Sequence, residues 1–456
     1  MPRRVDLLII GGGPAGYCGA VRARQLGKSV VLAEKDTVGG TCLNRGCIPT
    51  KAFLESAQLY RSLSSMAEHG VEVSYSAPDF AKVVARKNDI VRRLVQGLSY
   101  LLQQKGIEVV QGEAEFLSPS TVSIGGQTYE PERILVATGT APVELPNLPC
   151  DGRLVFNSDQ ILDLERLPKE VVIVGGGVIG CEFATVFAAY GVQVTIVELA
   201  DRILPMEDED ISKALAREFR KQKVRIMTAA QVRRVMDQGD GQGTVEVEYK
   251  GKVEELHTDC VLVSVGRRAV LPKGFPCAAN ARGLAVVNER YQTSIPHIYA
   301  AGDVIGGMQL AHLAFEEGMA AVDFAFGGSP KSRWQVPRCV YTKPEIAAVG
   351  LTEAEARAEY GGTLRIGQFS LKGNGKAVIS GLDSGFCKVI ADAHGRVLGV
   401  HMIGPQVTEI IAGAATVLEN QIGLDDWAGT IHPHPTVAES VREAALAALG
   451  RGLHSI

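Results

Sequence analysis

Cys42 and Cys47 stand five residues apart in Gly39-Gly40-Thr41-Cys42-Leu43-Asn44-Arg45-Gly46-Cys47-Ile48-Pro49-Thr50-Lys51. In an ideal α-helix that spacing puts the Cα atoms roughly 8–9 Å apart, on different faces. A disulfide needs them within about 7 Å. A bonded pair therefore requires a distorted segment, and Gly46 supplies the backbone freedom for it. Pro49 suits the first position of a regular helix after the break. Two unrelated packed thiols fit the same spacing, because cysteine is commonly buried. Beside a dinucleotide-binding unit, a dithiol/disulfide that exchanges electrons is the better reading.

Such a unit comes just before it. Val5 to Ile10 is a near-continuous apolar run, as a parallel strand covered on both faces should be. Gly11-x-Gly13-x-x-Gly16 follows, then a helical stretch to Leu26-Gly27 and a second apolar run from Ser29 to Ala33 that ends at Glu34. Gly11 permits a tight turn, Gly13 lets the backbone approach a pyrophosphate, and Gly16 allows helix to pack on strand. Glu34, about 20 residues on, is placed to accept from ribose hydroxyls. The unit then recurs: Val171 to Val174, Gly175-x-Gly177-x-x-Gly180, a helix to Tyr190-Gly191, and Val192 to Val197 ending at Glu198. Two copies predict two bound nucleotides. Glu198 favours NAD over NADP, since a carboxylate there binds a free 2′-hydroxyl and repels a 2′-phosphate. Arg202 reads as a solvated loop charge.

The 456 residues suffice for roughly three domains. With 46% hydrophobic and 21% charged residues, a disordered chain is excluded. Lys and Arg total 47 against 51 Asp and Glu, a net charge of −4 without a long basic run, so no nucleic-acid partner is expected. Nine cysteines are an odd count spread along the chain, which points to a reducing compartment. Cys18, Cys150, Cys181, Cys260, Cys277, Cys339 and Cys387 read as packing residues. Asp6 interrupts the basic start, and Leu7 to Ile10 is too short for a signal-peptide core. No uncharged run approaches the 18 or so residues of a membrane span. The expectation is a cytoplasmic chain with no membrane partner and no metal site.

In these and further motifs the chain resembles the flavin-dependent pyridine nucleotide–disulfide oxidoreductases, essentially end to end. The resemblance is carried by Gly40 to Pro49, Ala137-Thr138-Gly139, Ala301-Gly302-Asp303, and Ala311-His312 with Glu316-Glu317-Gly318. It extends to Tyr341-Thr342-Lys343-Pro344-Glu345 and His432-Pro433-His434-Pro435-Thr436 with Glu439. The chain departs from the family pattern at Thr50, usually serine, at Leu313, usually lysine, and at Pro433, usually alanine.

The resemblance implies an α/β fold with two Rossmann-like nucleotide-binding domains and a C-terminal α+β dimerisation domain. The FAD domain would comprise residues 1–147 and 266–334, the NAD domain 148–265, and the dimerisation domain 335–456. Pro142, Pro146 and Pro149 would mark one crossing and Gly266-Arg267-Arg268 the return. FAD would be held by the first glycine loop, Glu34, Thr138, Gly139 and Asp303, where Asp303 also suits the N-cap of a following helix. NAD would be held by the second glycine loop with Glu198.

Cys42 would face the substrate and Cys47 the flavin. His434 would be the base, oriented by Glu439, with His432 its competitor, and Lys51 would pair with Glu182 at the flavin's N5 edge. The implied reaction is oxidation of protein-bound dihydrolipoamide by NAD+ in a homodimer. The partners would be lipoyl-bearing subunits of 2-oxo acid dehydrogenase complexes or the glycine-cleavage carrier. The alternatives are another NAD(P)H-dependent disulfide reductase of the family and a non-catalytic flavin-containing assembly or redox-sensing subunit. A mercuric reductase would carry a C-terminal vicinal cysteine pair, and no cysteine follows Cys387.

Overall fold

A computed structural model describes residues 1–454. The apolar run at the start forms the strand Arg3–Ile10, whose residues Leu7 to Ile10 are buried. It lies parallel between Val30–Glu34 and Gln127–Val136. Glu108–Gln111 extends this sheet on one side, and Ile298–Ala300 joins the other side in parallel. An antiparallel meander, Ala114–Ser118 with Thr121–Ile124, feeds into the long strand Gln127–Val136. The chain therefore winds outward on one side of Arg3–Ile10 and returns on the other. That makes the end of this strand, where Gly11 follows, a topological switch point of the kind where nucleotides bind.

The second glycine unit repeats the solution. Arg225–Met227, Gln193–Val197, Glu170–Val174, Cys260–Val263 and Val155–Asn157 form a parallel five-stranded sheet in that order. Its meander is Ala230–Gly239, Gln242–Tyr249 and Lys252–Thr258. Between the two sheets the chain crosses as a short ribbon, Thr140–Pro142 pairing antiparallel with Arg267–Ala269.

The rest of the chain builds an antiparallel sheet in the order Arg338–Val340, Glu345–Gly350, Val397–Gly404, Phe386–Ala391, Arg365–Ser370. Both Phe386–Ala391 and Val397–Gly404 are buried throughout. Their covers include the helices Val407–Glu419 and Glu439–Ala448, which share one apolar core with them. No helix among the described residues is long and apolar enough to cross a membrane.

The C-terminal sheet is pinned to the second nucleotide-binding unit by charge. Lys388 is 2% exposed, and its ammonium reaches Asp208 at 3.0 Å, Asp210 at 2.8 Å and Glu353 at 2.6 Å. Arg338 binds Glu207 beside it at 3.1 Å. Removing one member of a buried cluster leaves the others desolvated and unpaired, at a cost of about 3–5 kcal/mol. Lys388→Met is therefore expected to lower the thermal unfolding midpoint by several degrees at fixed scan rate, while Glu209→Gln, on the exposed side of the same helix, leaves it in place.

Candidate active site

The two cysteines fall on different helices. Cys42 lies in the short helix Gly40–Arg45, and Cys47 is the first residue of the helix Cys47–Ser62. Gly46 separates them with φ −142° and ψ −108°, far from helical values. The break leaves the thiols, both half-buried, close to each other, near enough for each to shift the other's acidity. The helix begins earlier than the sequence suggests: Pro49 is its third residue rather than its first. That position is still tolerated, because none of the first four N–H groups has a partner inside the helix. Thr50 is buried, with its N–H donating to Gly46 O at 3.1 Å.

The thiols differ in acidity. The hydrogen bond from Cys42 lowers Cys47, against an opposing effect of burial, and the Lys51 ammonium lowers it further. The same hydrogen bond raises Cys42, and burial adds to the rise. Lys51 Nζ lies 2.9 Å from each carboxylate oxygen of Glu182, whose side chain is 4% exposed. Glu182 Oε1 also accepts from Tyr341 N–H at 3.0 Å. The expected pair is thus formed, with a third partner that sequence reasoning did not assign.

The two glycine loops share one geometry. A Cβ on Gly11 would lie 2.4 Å from Ala137 O, and one on Gly16 only 1.8 Å from Gly11 O. At Gly175 and Gly180 the corresponding distances are 2.6 Å from Ser264 O and 2.0 Å from Gly175 O. Gly13 and Gly177 are the N-caps of the helices Pro14–Gln25 and Val178–Ala189, and neither helix start is capped by a side chain.

Both acids close back onto their loops. Glu34 accepts from Gly12 N–H at 2.7 Å and Asp36 N–H at 2.8 Å; Glu198 accepts from Gly176 N–H at 2.5 Å and Ala200 N–H at 2.7 Å. Each carboxylate oxygen so engaged keeps a lone pair for a hydroxyl. Burial pushes Glu34 above the usual carboxylate range. Arg202 stands on a loop with its side chain 37% exposed, much as expected; it donates to Pro205 O at 3.0 Å, and its Nε alone is buried without a partner.

Thr138 and Gly139 follow the strand Gln127–Val136, with Thr138 Oγ1 buried and unpartnered. Asp303 opens a single 3-10 turn, Asp303–Ile305, whose N-cap is Gly302. The expected capping role is therefore wrong, because the chain turns one residue earlier. Asp303 Oδ2 accepts instead from Thr140 Oγ1 at 3.1 Å, and burial raises its pKa. Behind this turn Glu317, pushed up to about 7 by burial, accepts from Gly302 N–H at 2.9 Å. The sequence motif contained Glu317 but gave no reason to assign it a task, since its partner is a backbone amide of a distant turn.

His434 Nδ1 lies 2.8 Å from Glu439 Oε1, and Glu439 Oε2 accepts from Thr436 N–H at 2.8 Å. Burial works to raise Glu439, but these two contacts hold it below the usual range. The competing His432 points its Nδ1 at Thr430 O, 3.1 Å away. His434 is 77% exposed, and among the described residues no hydrogen bond joins it to Cys42 or Cys47. The chemical capacity here is a dithiol with one acidic sulfur, flanked by two anion-ready helix starts, plus a carboxylate-oriented imidazole on an outer surface. In the reduced chain, thiolate absorbance should grow in at a pH below the ordinary thiol range. Cys42→Ala should move that titration upward, because the donor to Cys47 is gone.

Known proteins share this layout. The family model described as pyridine nucleotide-disulphide oxidoreductase matches residues 5–318, and its dimerisation domain matches residues 336–445. A dihydrolipoyl dehydrogenase of Bacillus subtilis is 42% identical over 473 aligned positions, covering 99% of this chain and all of that protein. Dihydrolipoyl dehydrogenase 1, mitochondrial, of Arabidopsis thaliana is 36% identical, covering 98% of this chain and 91% of that one. Among solved structures, the HOCl-induced flavoprotein disulfide reductase RclA from Escherichia coli aligns with a TM-score of 0.86 at 30% identity, covering 96% of this chain and 99% of that one. With family matches that span both nucleotide-binding units and the C-terminal sheet, the chain belongs to the pyridine nucleotide-disulphide oxidoreductases.

Proposed function

We propose that the chain oxidises dihydrolipoamide carried on a protein and passes the electron pair through FAD to NAD+. The observation that carries this reading is the Cys42–Cys47 contact, with its opposed acidities, set between two nucleotide-type glycine loops. The full-length similarity to dihydrolipoyl dehydrogenases supports the choice of substrate.

The first loop fits FAD. Its uncapped helix start suits a pyrophosphate, the unpartnered Thr138 hydroxyl needs a partner, and Asp303 has lone pairs for a ribityl chain. The second loop fits NAD, with open space at Gly177 and Glu198 at the ribose position. Bound FAD would accept the electron pair of the dithiol and deliver it as hydride to NAD+.

The chain's own residues account for the thiol chemistry. His434, held by Glu439, takes a proton from one substrate thiol, and the resulting thiolate attacks Cys42 Sγ of the oxidised pair. The Cys42–Cys47 bond breaks and Cys47 leaves as thiolate, favoured by its lowered pKa. The second substrate thiol then attacks the substrate sulfur of the mixed disulfide and releases Cys42, which takes that thiol's proton; the substrate disulfide closes, and the protein holds Cys42 as thiol, Cys47 as thiolate and the first proton on His434. A purely structural subunit would leave the opposed thiols and the His434–Glu439 pair without a task.

The proposed setting is a homodimer in a reducing, cytoplasmic compartment, served by lipoyl-bearing subunits of 2-oxo acid dehydrogenase complexes or by the glycine-cleavage carrier. In this reading His434 works on the partner subunit's cysteine pair, which accounts for its exposure here. Dihydrolipoamide and NAD+ should yield NADH with the native protein and almost none with Cys42→Ser or His434→Ala homodimers. Mixing the two variants under subunit exchange should restore activity, since a heterodimer holds one intact composite site. No rescue in verified heterodimers would rule out action across subunits. NAD+ should also exceed NADP+ in kcat/KM by about two orders of magnitude or more, through repulsion of a 2′-phosphate by Glu198. Glu198→Gln should narrow the ratio.

A further inference from the structure

Tyr341 takes part in none of these steps, yet it meets the Lys51–Glu182 pair twice. Its N–H binds Glu182, and its ring centre lies 4.5 Å from Lys51 Nζ. Burial pushes its phenol up to about 12, so near neutral pH the ring is uncharged and presents an electron-rich face. We propose that Tyr341 is the positioning residue for Lys51, its ring face and main-chain N–H together fixing where the ammonium stands relative to Cys47.

The need for such a residue follows from the charges. Cys47 is faced by Cys42 and Lys51 from its own segment and by Glu182 from the helix Val178–Ala189. Lys51 lowers the thiol and Glu182 raises it, so their joint effect is a difference between opposed Coulomb contributions. Such a difference is sensitive to small movements of either charge. Lys51 carries its ammonium on four methylenes and is 31% exposed, so a competing position in solvent exists. Glu182 holds it through two oxygens, and the Tyr341 ring closes a further side. Cys339, also near Lys51, is a half-buried thiol raised well above neutrality and supplies no charge. Tyr341 comes from the C-terminal part of the chain, just beyond the strand Arg338–Val340, so that part sets the field at a thiol more than 290 positions earlier.

This inference rests on the reading of Cys47 as the thiolate of a dithiol exchange. The test is the pH profile of dihydrolipoamide–NAD+ turnover by the holoenzyme. Tyr341→Phe should overlay the native profile. Tyr341→Leu should shift the acid limb upward by about half a unit and lower kcat about threefold near neutrality, with KM for dihydrolipoamide within about twofold. In a Lys51→Met background Tyr341→Leu should add nothing, since the ring acts through the ammonium. An unmoved limb in Tyr341→Leu while Lys51→Met moves it, or an equal shift in both backgrounds, overturns the proposal. If Tyr341→Leu fails to fold, pentafluorophenylalanine at position 341 keeps the ring shape and reverses the charge on its face. It should shift the limb in the same direction, and an unmoved limb again overturns the proposal. Absence of dihydrolipoamide turnover by the native holoenzyme would sink the functional reading alone. The same variants would then be compared by thiolate absorbance in the reduced holoenzyme, where the same upward shift is expected and its absence is decisive.

Discussion

Glu182 sits where an unpaired carboxylate would cost several kcal/mol, so the elements packed around it must deliver donors. They come from two places far apart in sequence: the ammonium of Lys51 and the N–H of Tyr341. Satisfying this one buried charge brings together the helix that starts at Cys47, the helix that starts after the second glycine loop, and the edge of the C-terminal sheet. Lys51 lies four residues after Cys47 in the same helix, so both occupy one face and anchoring the ammonium also orients the sulfur. The Cys47 end of the thiol pair is thus held on a helix that the Lys51–Glu182 ion pair ties to the second glycine unit.

The two glycine units solve the same steric problem, yet their surroundings differ. In both, the third glycine lies against the backbone of the first, and an acid at the end of the second strand locks the middle of the loop. The first loop is enclosed: Glu34 is buried, and a Cβ on Gly13 would meet Gly40 of the cysteine segment at 3.7 Å. The second is open, with Glu198 half-buried, Leu199 72% exposed and nothing within 4 Å of a Cβ on Gly177. An enclosed loop suits a group that stays through many turnovers, and an open one suits a group that must leave after each. In the proposed reading, one motif, written twice, would provide a resident and an exchangeable site through what packs over it.

What could be read from the sequence was whatever is decided locally. The glycine turns, the acids at the strand ends and the break at Gly46 depend on neighbours within one strand–turn–helix unit, and all are present. The errors arose where a residue a few positions away, or far away, decides. The helix expected to start at Pro49 starts two residues earlier, on Cys47 itself. Asp303 was given a cap that Gly302 takes. Glu317, Lys388 and Tyr341 gave no usable signal, because each acts on a partner that only tertiary folding supplies.

The same division explains why the base is the least self-contained part of the site. His434 and Glu439 are five residues apart and bind each other without help from the rest of the fold. Their pairing is local, but their target is not: the imidazole stands on an outer surface of a segment that belongs to a dimerisation domain. The thiol pair, by contrast, is fixed from within the chain by Gly46, Lys51 and Glu182. In the proposed reading, a catalytic unit assembled from an internally fixed sulfur and an outward-facing base would make proton transfer depend on the contact between subunits. The electron path toward the flavin would, in the same reading, depend only on each subunit's own fold. Loosening the dimer would thus cost the exchange with lipoamide first, while the internal transfer from dithiol to nucleotide would outlast it.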